Sequence, residues 1–190
     1  MIRTRVGYAG GTTSDPTYYN IGDYSETVQV DFDPSRVSYD KLVDAFWSGH
    51  DPTYPPYSRQ YRSAILYNTE EQRQTAIKSK EREESRLGKV LFTDIEADTG
   101  FYVAEDYHQK YYLRETPELM AEISAIYPDP QDFMNSTAAA RLNGYVAGYG
   151  NQDTLKKQLN SLGLSESGQQ RLLQITASGL IPGCPVNPSG

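Results

Sequence analysis

The chain has 190 residues, enough for one domain with a real core plus an appendage, and a net charge of −7. With a pI near 4.9, that balance argues against a nucleic-acid partner, which needs a basic face, and favours a soluble protein. A single cysteine, Cys184, excludes an internal disulfide and a multi-cysteine metal site, and no apolar run is long enough to span a membrane. Tyrosine is the outlier, 16 against 5 Phe and 1 Trp, which reads as half-buried packing with a few hydroxyls lining a polar-tipped cleft.

In chain order, residues 2–8 are predicted as a strand closed by Gly10-Gly11, and 12–23, rich in Thr, Ser, Asp, Pro and Asn, as a loop. Residues 27–32 alternate, with Val28, Val30 and Phe32 on one face of a half-buried strand. Ser38 is placed to cap a helix over 38–48 whose apolar stripe is Leu42, Val43, Phe46 and Trp47, with Gly49 at its end. Three prolines make 51–57 an irregular loop, and 61–67 reads as a strand. Thr69 and Gln72 form a capping-box pattern that opens a charged surface helix ending near Gly88. A short strand is expected over 93–96, then helices over 104–113 and 117–127, the latter with Pro117 in its first turn. Beyond Pro128-Asp129-Pro130 the pattern is helical only, over 131–143, 154–162 and 165–177, with a loose tail after 181. The expectation is an α+β core over 1–127 and a helical extension with a loose tail over 128–190.

Several short elements, taken together, carry a resemblance. Val6-Gly7-Tyr8-Ala9-Gly10-Gly11, Pro16-Thr17-Tyr18, Tyr24-Ser25-Glu26 and Gln60-Tyr61-Arg62-Ser63 occur in the order found in the A-type peptide methionine sulfoxide reductases. His50-Asp51-Pro52 and Ala104-Glu105-Asp106-Tyr107-His108-Gln109 also resemble segments of that family and are read as mainly structural. The resemblance covers roughly residues 2–127. It implies a ferredoxin-like α/β roll with a mixed sheet, and reduction of methionine-S-sulfoxide in proteins, or of the free amino acid. The family's nucleophile is the cysteine of a Gly-Cys-Phe-Trp-Gly segment N-terminal to all these elements, and this chain has no such segment. The family's first strand and helix are therefore expected to be missing, through a misassigned start or an upstream selenocysteine codon taken as a stop. The strand that would pair with the missing one is expected to carry an open edge.

Reducing a sulfoxide takes a soft nucleophile for sulfur and an acid for the leaving oxygen. The resemblance makes Glu26 the acid; read on its own, the same residue is a solvated charge at a strand start. Desolvation there would keep its proton on. Tyr18 and Tyr61 are the implied donors to the sulfoxide oxygen, with Tyr19 as the off-by-one alternative to Tyr18. Tyr24 stands where the family usually has His, which bears on the local support of that acid. Two further departures suggest a divergent branch with a modified substrate rim: the loop between Tyr18 and Glu26 is short, and no carboxylate lies just before Gln60. Cys184 is a candidate resolving cysteine or, equally, a lone thiol without a role.

No cofactor is expected. The two histidines, far apart in sequence and without a nearby third ligand, argue against a zinc site. The implied reductant is thioredoxin or a similar dithiol, and the expected location is the cytoplasm, no signal peptide being visible. The alternative is a catalytically dead relative serving as a binding or interaction module through an exposed apolar groove.

Overall fold

The computed structural model describes residues 1–179, and among them the fold is α+β. The chain forms two compact units. The first holds Met1 and Val6–Glu105; the second holds Ile2–Arg5 and everything from Asp106 onward.

In the first unit, β1 (Arg3–Ala9) is the middle strand of a three-stranded sheet, flanked by β2 (Ser25–Asp31) and β5 (Phe101–Val103). β1 and β5 run antiparallel, with Gly7 opposite Val103 and Ala9 opposite Phe101. Gly7 is buried at this close approach, where a side chain would overlap the Tyr102 carbonyl and the Phe101 ring. Gly10, with φ at +72°, turns the chain out of the sheet, a conformation that suits glycine. β3 (Ser63–Tyr67) and β4 (Thr93–Ala97) form a separate parallel pair, joined by a crossover through α2 (Glu70–Leu87).

The capping signals act as expected. Ser38 Oγ accepts from Lys41 N at the start of α1 (Tyr39–Ser48). Thr69 Oγ1 accepts from Gln72 N, while the Gln72 side chain reaches back to the Asn68 amide. α2 stops at Gly88, whose φ of +63° is the left-handed cap. Val43 and Trp47 of α1 pack with Ile65, Ala76 and Leu91 in one small core. Tyr8, Tyr24 and Ala104 form a second.

The second unit is helical. Its core includes Leu113, Leu119, Ile123, Phe133, Leu142, Val146, Leu155, Leu162 and Leu172. These come from α3 (Tyr111–Arg114), α4 (Pro117–Ile126), α5 (Pro130–Asn135), α6 (Thr137–Val146), α7 (Gln152–Gln158), α8 (Glu166–Ser178) and the turn before α8. Asp129, Ser136, Asn151 and Ser165 each accept a backbone N–H at a helix start. The Pro128-Asp129-Pro130 segment lies inside this unit, where Asp129 caps α5.

Sequence expectations are corrected at several points. Residues 104–113 are not one helix: a short 3₁₀ turn at Asp106–His108 precedes Lys110, which adopts φ +57°. The reason is tertiary, since the buried Lys110 ammonium donates to the Thr4 carbonyl at 2.6 Å and the Met134 carbonyl at 2.9 Å. Gly49 does end α1 as expected, its amide donating to the Phe46 carbonyl. Strand β5 carries too short a pattern to be predicted. Finally, the strands do not form one mixed sheet, because the outer edges of β2 and β3 are not paired with each other. Val28, predicted to be half-buried, is 59% exposed in consequence.

Candidate active site

The site lies wholly in the first unit and begins with how the loop before β2 is held. Asp23 accepts from the amides and hydroxyls of both Thr12 and Thr13. These bonds, the Thr12 amide first, hold its carboxyl well below the usual carboxylate range. Arg59 donates to the Asp23 carbonyl at 2.6 Å and to the Gly10 carbonyl at 2.8 Å, tying the loop to the turn after β1. Tyr24, the departure from the family's histidine, is buried, and its hydroxyl donates to the Thr13 carbonyl at 2.9 Å. Support at this position is therefore packing plus a neutral hydrogen bond.

Glu26 opens β2. Its amide donates to the Gln60 carbonyl at 2.9 Å, and its Oε1 accepts from Gln60 Nε2 at 2.7 Å. The same Nε2 lies 3.1 Å from the Tyr61 hydroxyl. Interaction with the Tyr18 phenol first, then partial desolvation and the Glu26 charge, push the Tyr61 phenol up to about 12, so it stays protonated at neutral pH. Tyr18, Tyr61 and Glu26, distant in sequence, are thus brought together, with Gln60 bridging Tyr61 and Glu26. Glu26 itself is exposed rather than desolvated.

Tyr18 is half-buried, while Tyr19, which meets it edge-on, is 90% exposed. The Tyr18 amide donates to Glu105 Oε1 at 3.1 Å, and the buried Tyr8 donates to Glu105 Oε2 at 2.6 Å. Glu105, read from sequence as mainly structural, therefore holds the Tyr18 turn. The Tyr57 ring lies 5.3 Å from that of Tyr61 and extends the aromatic surface.

Behind Glu26, Ser25 is buried, donates to the Arg59 carbonyl at 2.8 Å and accepts from Arg62 Nε at 2.8 Å. Arg62 grips Glu96 with two bonds of 2.7 Å and Asp94 with one of 2.9 Å. Sequence reasoning assigned no role to Gln60, Ser25, Arg62 or Glu105. Gln60 and Arg62 flank Tyr61, Ser25 precedes Glu26, and Glu105 lies in the Ala104–Gln109 segment, so their places in those elements were the available signal. His50 bonds the Phe46 carbonyl through Nδ1 and the Ser63 hydroxyl through Nε2, each at 2.8 Å, a structural tie. Cys184 lies outside the described residues. Among the described residues no group of three or more His, Cys, Asp or Glu is placed to hold a metal, and no helix is long and apolar enough to cross a membrane.

The arrangement offers a carboxyl beside two neutral phenols, suited to an S=O acceptor that must be protonated as it leaves. Comparison with known proteins places the chain in a family. Residues 1–141 match the family model described as peptide methionine sulfoxide reductase, reaching past the 127 expected from motifs. The chain is 40% identical over 172 residues to a peptide methionine sulfoxide reductase of Drosophila melanogaster, covering 90% of this chain and 69% of that protein. It is 40% identical over 153 residues to peptide methionine sulfoxide reductase A5 of Arabidopsis thaliana, covering 77% of this chain and 59% of that one. The crystal structure of reduced Mxr1 from Saccharomyces cerevisiae is similar at a TM-score of 0.56 and 31% identity, covering 60% of this chain and 71% of that chain. The chain belongs to the peptide methionine sulfoxide reductase family, oxidoreductases acting on methionine sulfoxide.

Proposed function

We propose that this chain supplies the acid and oxygen-binding side of a methionine-S-sulfoxide reductase centre. Tyr18 and Tyr61 donate to the sulfoxide oxygen, and Glu26 delivers the proton that lets it leave sulfur. The attacking thiolate or selenolate is not among residues 1–179, which contain no cysteine. The sulfoxide is reduced to the thioether while the nucleophile takes its oxygen and becomes a sulfenic or selenenic acid. Thioredoxin or a similar dithiol then returns the nucleophile to its reduced form, releasing water and becoming a disulfide. The substrates are methionine sulfoxide in proteins or the free amino acid, and the setting is the cytoplasm. Cys184 is a candidate resolving thiol.

The observation that carries the reading is the Gln60 amide bridging Glu26 and the Tyr61 hydroxyl, with the Tyr18 phenol interacting with Tyr61. The test extends the chain upstream with a strand bearing Gly-Cys-Phe-Trp-Gly and follows reduction of a methionine sulfoxide peptide with dithiol. The extended chain is expected to turn over and its Glu26→Gln variant to lose on the order of 10²-fold or more. The reading fails if the Gln variant keeps full activity, or if the unextended chain with Cys184→Ser reduces the peptide.

A further inference from the structure

Each of the two oxygen-donating phenols has a second tyrosine beside it. Tyr19 meets Tyr18 edge-on with ring centres 5.5 Å apart, and Tyr57 lies tilted by 31° at 5.3 Å from Tyr61. The Tyr18 and Tyr61 phenols also interact with each other. The four therefore form a row, Tyr19–Tyr18–Tyr61–Tyr57, with the donors in the middle and an exposed ring at each end. Tyr19 is 90% and Tyr57 84% exposed, and neither joins a core of this unit. Pro55 and Pro56, each fixing its own φ, restrict the backbone that presents Tyr57.

The charge around the row is mostly of one sign. The first unit holds 17 Asp and Glu against 10 Lys and Arg, so the chain's entire net charge of −7 falls in it. Residues 6–35, which carry Tyr18, Tyr19 and Glu26, include 5 carboxylates and no Lys or Arg. Two cations neighbour Tyr61 in sequence. Arg62 is held by Glu96 and Asp94, and Arg59 by the carbonyls of Asp23 and Gly10. An aromatic face attracts a cation, and a surrounding excess of carboxylates strengthens the attraction.

We propose that the end rings Tyr19 and Tyr57 select, among methionine sulfoxides, those held in a polypeptide with Lys or Arg two positions before and two positions after. In an extended segment, residues two apart share a face and stand about 6.6 Å apart, comparable with the ring spacings of the row. With the sulfoxide at the donors, the two long cationic side chains reach the end rings. The free amino acid has no such flanks and lacks both contacts. The inference rests on the reading of Tyr18 and Tyr61 as oxygen donors and adds the substrate class to it. Tyr19 and Tyr57 touch the flanks and not the reacting atoms, so they set specificity rather than chemistry.

The test titrates the 190-residue chain, followed by NMR, with the acetylated, amidated peptide Gly-Lys-Gly-X-Gly-Lys-Gly, where X is methionine-S-sulfoxide. One control replaces both Lys with Glu, and the other replaces the sulfoxide with Met. At low salt the lysine peptide is expected to bind about tenfold or more tightly than the glutamate peptide. The gap should narrow to about threefold or less in about 1 M salt, where the screening length is about 3 Å. Tyr19→Leu and Tyr57→Leu keep the apolar area and remove the ring face. Each is expected to cost the lysine peptide about threefold and the glutamate peptide nothing, with circular dichroism unchanged. Three outcomes would overturn the inference: no saturable shift with the lysine peptide, equal binding of the lysine and glutamate peptides, or a lysine preference that both Leu variants leave intact. Equal binding of sulfoxide and thioether would instead sink the donor reading, and this inference with it. Loss of the lysine preference alone leaves the donor reading standing.

Discussion

Arg62 is the residue whose removal tests the support behind Glu26 most directly. Its side chain is 4% exposed, whereas its partners Glu96 and Asp94 are 40% and 57% exposed. Breaking a fully buried pair costs about 3–5 kcal/mol and a surface pair about 0–1. A buried guanidinium on two half-exposed carboxylates falls between, so Arg62→Met should cost about 2 kcal/mol. Arg62→Lys keeps the charge but loses the two-pronged grip on Glu96 and the bond to Ser25, and should recover less than half. Urea unfolding followed by fluorescence of the sole tryptophan, Trp47, reads this unit directly. The pH dependence has a defined sign. Arg62 holds the Glu96 carboxyl below its ordinary 4.5, so the stabilisation is present above that value and lost as pH falls through the folded one. The gap between wild type and Arg62→Met should be full at pH 7 and close as Glu96 protonates. A gap that stays constant down to pH 3 would refute the ion-pair account and leave packing as the cause.

Lys110, 4% exposed, is pushed down to about 8 from 10.5, chiefly by burial and then by Arg114 and Arg5. The unfolded chain then binds the extra proton between those values, so helical-unit stability should rise with pH from 8 to 10.5, by about 3 kcal/mol. Unfolding followed by circular dichroism should show this slope in wild type and not in Lys110→Met. Gly7→Ala forces a methyl against the Tyr102 carbonyl and the Phe101 ring and should cost about 2 kcal/mol or more, with exchange of the β1–β5 amides quickened. Ser79→Ala strips the 2.9 Å partner from the buried Trp47 indole N–H, which should cost about 1–3 kcal/mol and shift Trp47 emission.

What the sequence could tell followed the range of each interaction. Helix starts were legible because a cap is a contact across three residues, as at Ser38 and Thr69. The break at Lys110 was not, since it depends on carbonyls 106 and 24 residues away. The α1 stripe was correct as a pattern, but sequence could not tell that Val43 and Trp47 are buried while Leu42 and Phe46 are only half-buried. For the site, family resemblance brought Tyr18, Glu26 and Tyr61 to notice. Gln60 joins them only because the Glu26 amide, 34 positions away, pins its backbone.

Glu26 is exposed, yet the backbone that carries it is fixed. Its amide is pinned on the Gln60 carbonyl, Ser25 and Arg62 are bonded behind it, and Arg59 ties the preceding loop to the turn after β1. Glu105 holds the Tyr18 turn by accepting from its amide. The carboxyl and the phenols are therefore positioned before a substrate arrives, and what the substrate must add is the exclusion of water around them.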